Sequence, residues 1–268
     1  MNVNASPKRL RLTCNRSLVL DVVALCDRTA YFPLERSFDL GQIAALRKAA
    51  TPRISWSAIF LKAYAIVSAV TPPLRQAYIR WPWPHLCEYP TNVGMLAVNR
   101  QFDGEDRLCW ARFINPEKTP LAELQQALDD YQTKPVEEAF KWQLQLSRLP
   151  AMLRRVIWRA NLNFSGRKRA KRIGTFTMSS LAGTGALNRY HPTLATSSLT
   201  YGPLDAQGNS LVTLICDHRV FDGALAARVL DDLESALRGI VGEELRLLAS
   251  HASRPTAEQP EFRQRRSA

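Results

Sequence analysis

Of the four histidines in the 268 residues, His218 stands in a setting suited to proton transfer. A β-type run, Leu211-Val212-Thr213-Leu214-Ile215-Cys216, leads into Asp217-His218. Asp222-Gly223 begins four positions after the histidine, and a helical pattern follows. A histidine at a strand end has a rigid main chain behind it and a turn that lets the imidazole face a cleft. Its ordinary pKa of about 6.5 lets it take a proton at neutral pH and return it. Asp222 falls in the turn, where a carboxylate can fix the loop through backbone or arginine contacts. Gly223, without a Cβ, suits tight reversal or close packing. A lone histidine is by default a half-buried core residue beside a turn, so the neighbours must decide. Cys216 shares a strand face with His218 and is the nearest alternative nucleophile, but a small core residue is the simpler reading.

A second segment, Gly174-Thr175-Phe176-Thr177-Met178-Ser179-Ser180-Leu181 with Gly183-Thr184-Gly185 after it, reads as strand and turn. By itself Ser179 fits ordinary turn chemistry. Asp217-His218-Arg219-Val220-Phe221-Asp222-Gly223-Ala224, with Ala226-Ala227-Arg228-Val229-Leu230, resembles the active-site signature of the dihydrolipoyl acyltransferase catalytic domain of 2-oxoacid dehydrogenase complexes. The shorter His-x-x-x-Asp-Gly core is similar to that of chloramphenicol acetyltransferase and other CoA-dependent acyltransferases of the same fold. The Gly174 segment, with Ser179 placed 39 residues before His218, resembles the strand that precedes the histidine in that family.

The resemblance implies an α/β fold, a chloramphenicol acetyltransferase-like two-layer sandwich with a mixed sheet. It implies His218 as general base and Ser179 as hydrogen-bond donor to the tetrahedral oxyanion. Asp222 would hold the histidine loop in shape, through an arginine if one is near. The reaction would be direct acyl transfer from a thioester, with coenzyme A or acyl-CoA as substrate and a thiol as the natural acceptor. An alcohol or amine acceptor is the variant open to enzymes of this fold. No metal or redox cofactor is called for, and a homotrimer is implied, with His218 and Ser179 meeting from different subunits.

Elements that would position these residues run along the chain from about Thr29 to Leu245. Arg28 to Pro33 with Phe38 to Leu40, and then Ile43 to Arg47, resemble that family's first core strand and short helix. Trp56, Ile59, Phe60, Ala63 and Val67 recur at helical spacing and form a core stripe. Asn92 to Val98 reads as a strand, and Asp103-Gly104 marks a hairpin turn. Pro120 falls in the first turn of a helix whose inner stripe is Leu121, Leu124, Leu128 and Tyr131. Asp205 to Asn209 is a loop, and Ala226, Val229, Leu230, Leu233 and Leu237 define a helix after the histidine. Expected boundaries are a flexible basic arm over 1–16, a catalytic domain over 17–249, and a disordered tail over 250–268. No lipoylation site or lipoyl domain is expected, so no covalently bound lipoyl group either.

Composition sets outer limits. Hydrophobic content of 46% supports a core, and no apolar run is long enough to cross a bilayer. Cys14, Cys26, Cys87, Cys109 and Cys216 are odd in number and lack metal-ligand spacing, which points to reduced thiols and a cytoplasmic setting. The net charge of +12 is concentrated between Arg148 and Arg172, a basic insertion with nine Lys or Arg and no acid. Leu149, Met152, Leu153, Val156, Ile157 and Trp158 give it an apolar stripe. It reads as a solvated face, as a helix on an anionic membrane surface, or as a dock for an acyl carrier protein, a lipoyl domain or CoA phosphates. Nucleic acid is not expected, for want of a recognised motif. Trp81-Pro82-Trp83-Pro84-His85 and Arg107 to Phe113 depart from the resembled family, leaving the acceptor open. A non-catalytic scaffold binding an acidic carrier or a membrane surface is the rival reading.

Overall fold

Alternating burial along the strands builds one mixed sheet with its main helical layer on one face and further helices over part of the other, as seen in a computed structural model that describes residues 13–27, 29–163 and 166–252. In chain order the elements are α1 (Cys14–Cys26), β1 (Tyr31–Asp39), α2 (Gly41–Ala49), α3 (Trp56–Val70), β2 (Gln76–Ile79), β3 (His85–Glu88), β4 (Val93–Phe102) and β5 (Glu105–Ile114). There follow α4 (Leu121–Thr133), α5 (Val136–Ala139), α6 (Lys141–Arg148), α7 (Ala151–Asn163), α8 (Gly166–Ile173), β6 (Phe176–Met178), β7 (Ser197–Tyr201), β8 (Asn209–Asp217), α9 (Gly223–Ala236) and α10 (Gly242–Ala252). The sheet order is β1-β8-β7-β6-β4-β5; β6 runs parallel to β4 and β7, and every other pairing is antiparallel. The β2–β3 pair stands apart as a small hairpin.

Period-two alternation sends Val212, Leu214 and Cys216 of β8 into the main core, while the Thr213 hydroxyl faces the other way and donates to Glu35 at 3.0 Å. Against the core face lie α3, α4, α9 and α10. The stripe expected on α3 is buried at Ile59, Phe60, Ala63 and Val67, and Ser55 caps the helix by accepting the Ala58 N–H. Trp56 is only partly buried, under the Arg47 guanidinium. The expected stripe of α9 is likewise buried, from Ala226 through Leu237. Helix α4 starts one residue later than expected, at Leu121, whose N–H donates to the Glu244 carboxylate; Lys62 pairs with the same carboxylate at 2.5 Å. The β4–β5 hairpin turns on Asp103 (φ 52°) and Gly104 (φ 74°), both left-handed as a two-residue turn between right-twisted strands requires.

On the opposite face, α1, α6, α7 and α8 cover part of the sheet over a smaller core that includes Leu18, Leu146, Trp158, Ile173 and Leu194. Fully buried Asp21 of α1 accepts from Arg154 of α7 at 2.5 and 3.2 Å, pinning the two helices together. Gly174 makes the turn from α8 into β6 at φ +87°; a Cβ there would stand 2.7 Å from the Val93 carbonyl.

The basic segment 148–172 therefore differs from a uniformly solvated or membrane-lying helix. Arg154 and Arg169 are buried, the latter donating to the carbonyls of Leu162 and Leu194. Trp158 is buried too, so it is not available as a membrane anchor; the exposed apolar side chains of α7 are Met152, Leu153 and Val156. Of the expected basic arm, residues 1–12 lie outside the described residues, whereas 14–16 open α1 and Asn15 is buried, bonding the Phe102 carbonyl. Arg28 and residues 253–268 of the expected tail also lie outside the described residues. Among the described residues no helix is long and apolar enough to cross a membrane.

Candidate active site

Strand β8 ends at Asp217, and the chain is held on both sides there. The His218 N–H donates to the Ala30 carbonyl at 2.9 Å, and the ring packs on Phe32 with centroids 4.8 Å apart. His218 Nδ1 lies 2.8 Å from the Phe221 carbonyl oxygen. A carbonyl can only accept, so in the neutral ring Nδ1 carries the proton and Nε2 keeps its lone pair, the tautomer a general base needs. The imidazole is exposed on this chain.

Asp222 spends its hydrogen bond on the helix rather than on the histidine. Its carboxylate accepts the Leu225 N–H at 2.7 Å and caps α9, which also fixes the Phe221 carbonyl one residue back. The arginine pair belongs instead to Asp217, nearly fully buried, which takes Arg219 Nε and Nη2 at 2.9 and 2.6 Å. The Arg219 guanidinium lies 4.6 Å over the Tyr78 ring, so the β2–β3 hairpin with its exposed Trp83 adjoins the histidine loop. Sequence reading missed this Asp217–Arg219 clamp, although both residues flank His218. Cys216 is buried, and burial pushes its thiol up to about 12, which removes it as a nucleophile at neutral pH.

Ser179 sits just past β6, its N–H donating to the Leu199 carbonyl at 3.1 Å, and its side chain is half-buried. Leu199 pairs with Leu214, several residues before His218 and toward the other end of β8. The register thus separates Ser179 from His218 by about 15–20 Å within one chain. Behind Ser179, the sheet's outer face carries a polar relay. The Thr177 hydroxyl bonds Ser198 Oγ at 2.6 Å, and His191 Nε2 lies 2.7 Å from the same oxygen. Burial without a carboxylate partner lowers His191 to about 4. Ser179 and His191 both line a cavity of about 620 Å³ under α1, α7 and α8. Among the described residues there is no group of three or more His, Cys, Asp or Glu that could hold a metal ion.

The architecture, a mixed sheet packed with helices, is the α/β fold of the acyltransferase catalytic cores. The structure is similar to the truncated catalytic core of the 2-oxoacid dehydrogenase multienzyme complex from Thermoplasma acidophilum, with TM-score 0.67, 16% identity, and 87% of this chain and 99% of that chain covered. Dihydrolipoamide acetyltransferase (E2p) from Azotobacter vinelandii superposes with TM-score 0.66 at 15% identity, covering 89% and 94%. A probable dihydrolipoamide acetyltransferase from Listeria monocytogenes gives 0.63 at 15%, covering 87% and 95%. No protein-family model and no curated protein matches the sequence.

Proposed function

We propose that the protein is an acyltransferase that moves an acyl group from a thioester, on coenzyme A or a carrier, to a thiol or related acceptor. The observation that carries this reading is His218, exposed at a strand end with Nδ1 bonded to the Phe221 carbonyl and Nε2 left as base. In the step envisaged, Nε2 takes the acceptor's proton as the acceptor sulfur or oxygen attacks the thioester carbonyl. The oxyanion receives a hydrogen bond from Ser179, and its collapse expels the donor thiolate, which recovers the proton from His218. An oxyanion donor of this kind is worth about 2.7–4 kcal/mol. In the Azotobacter enzyme a serine, a histidine and an asparagine four residues beyond the histidine were investigated for roles in the mechanism. Here Ser179 and His218 match in type, and Asp222 stands at the asparagine's offset.

The separation of Ser179 from His218 within one chain supports a site shared between copies of a homotrimer. Exposed Leu181, Leu187 and Tyr190 follow Ser179 and would supply apolar surface for a second copy. Docking of an acidic acyl carrier or lipoyl domain is favoured by exposed Met152, Leu153 and Val156 on α7 with Arg155 and Arg159 exposed among them.

Thiol release from a panel of acyl-CoA thioesters, with and without dihydrolipoamide, tests the reading. Transfer lost in His218→Ala and reduced in Ser179→Ala is the expected result. No turnover with any CoA-linked or carrier-linked donor, beside tight binding of an acidic carrier or of anionic vesicles, would replace it with the scaffold reading.

A further inference from the structure

The cavity beside Ser179 has a chemical polarity of its own. Its volume of about 620 Å³ falls among small-molecule pockets, which span about 300–1,000 Å³. Three tryptophans, Trp110, Trp142 and Trp158, stand in its walls, and α1 contributes Leu18 and Val22. Its charged lining residues are Arg112, Lys168, Lys171 and Arg172; no carboxylate lines it among the described residues.

Strand register orders these groups. Ser179 follows Met178, which pairs with Leu96, so Ser179 is level with Ala97 and, across β5, with Trp110. Arg112 is level with Met95 and Thr177, about 7 Å back along the sheet. Its Nη1 donates to the Lys171 carbonyl at the end of α8, and the Arg172 guanidinium lies 4.7 Å over the Trp142 ring. The cavity thus has an apolar end at Ser179 and Trp110 and a cationic end where α8 meets β5.

We propose that this cavity binds an amphipathic anion, an apolar chain or ring body carrying one carboxylate, phosphate or sulfate. The body lies toward Trp110 and Ser179 and the anion toward Arg112, Lys171 and Arg172. An apolar body desolvates the end lined by Leu108 and Trp110, and a cation cluster with no acid among the described lining residues discriminates for a negative group. That the bound molecule is the variable part of a substrate rests on the acyltransferase reading; that it binds here does not.

Calorimetric titration of the intact protein with decanoate, decanol and acetate tests the assignment. Decanoate is expected to bind and acetate not. The double variant Lys171→Glu/Arg172→Glu should weaken decanoate by about tenfold or more while leaving decanol nearly unchanged. Ala97→Phe, which fills the apolar end, should abolish binding of both, with Val22→Trp as a second filling variant should the first melt early. Decanoate and decanol binding alike, or both filling variants binding as tightly as the parent, would overturn the proposal. Decyl sulfate in place of decanoate separates a general anion site from a carboxylate site, since a binding preference above about tenfold for either head group would name the source. Decanoate binding is read by calorimetry and acyl transfer by thiol release, so failure of the catalytic reading and failure of the cavity assignment give different results.

Discussion

Replacing Asp222 separates two roles a carboxylate could play beside the histidine. In the structure it acts on α9, accepting the Leu225 N–H at 2.7 Å, while the hydrogen bond of His218 Nδ1 goes to the Phe221 carbonyl. Asp222→Ala removes a cap worth about 1 kcal/mol and a favourable charge at the helix start worth about 0.3–1 kcal/mol. Together these come to about 1–2 kcal/mol, or a melting temperature lower by about 3–7 °C for a domain of this size. Asp222→Asn keeps the acceptor and loses only the charge, so its melting temperature should fall by about 1–3 °C. Fraying the first turn also loosens the Phe221 carbonyl that holds Nδ1. With that hydrogen bond worth about 0.5–1.5 kcal/mol net, turnover should drop roughly 3- to 10-fold in the alanine variant and recover in the asparagine variant. Thermal melting and thiol release on the same preparations provide the check. An asparagine variant as stable as expected but as slow as alanine would mean that the negative charge itself acts on the reaction, and the capping argument would be wrong.

Mixing inactive His218→Ala with Ser179→Ala and reassembling should restore about a quarter of parental activity if His218 and Ser179 meet between subunits of a symmetric oligomer, and nothing if they do not. His191 is lowered to about 4 in the fold, so its neutral form causes no loss above the unfolded value of about 6.5, and stability falls as pH drops from there toward 4. Between pH 7 and pH 5 this amounts to about 2 kcal/mol, which urea titrations should find in the parent and not in His191→Gln. Arg154→Met leaves Asp21 buried without its main partner and should cost about 3 kcal/mol, whereas Asp21→Leu/Arg154→Met should recover most of it; equal denaturant midpoints for the two variants would refute the pairing argument. Cys216→Ala should keep thiol-release activity within about twofold and lose only about 1 kcal/mol of stability as a small core truncation.

Where one face of an element packs on one core, its pattern was readable from residue order. The stripes of α3, α4 and α9, the Asp103-Gly104 turn and the strand leading to His218 are all local patterns of period two or 3.6. The basic segment was harder because its residues serve different masters. Arg154 answers an aspartate more than a hundred positions earlier, Arg169 satisfies carbonyls of Leu162 and Leu194, and Trp158 packs in a second core whose partners come from α1 and α6. Charge content alone cannot separate such buried cations from their solvated neighbours. At the site, His218 stood out by its place at a strand end and Ser179 only through the family resemblance, yet neither could say which aspartate takes the arginine. Asp217 and Asp222 both lie near Arg219 in sequence, and only the end of β8 turns Asp217 toward it. The cavity was invisible for a related reason, since its walls come from stretches of chain scattered between Leu18 and Leu194.

The acceptor that orients His218 is a peptide carbonyl, a group carried by every residue. No side-chain substitution at position 221 can delete it, because any residue there presents the same oxygen as long as the turn and its cap persist. The tautomer of His218 is in that sense inherited from the path of the main chain. Selection could therefore rewrite most of the surrounding side chains without disturbing it.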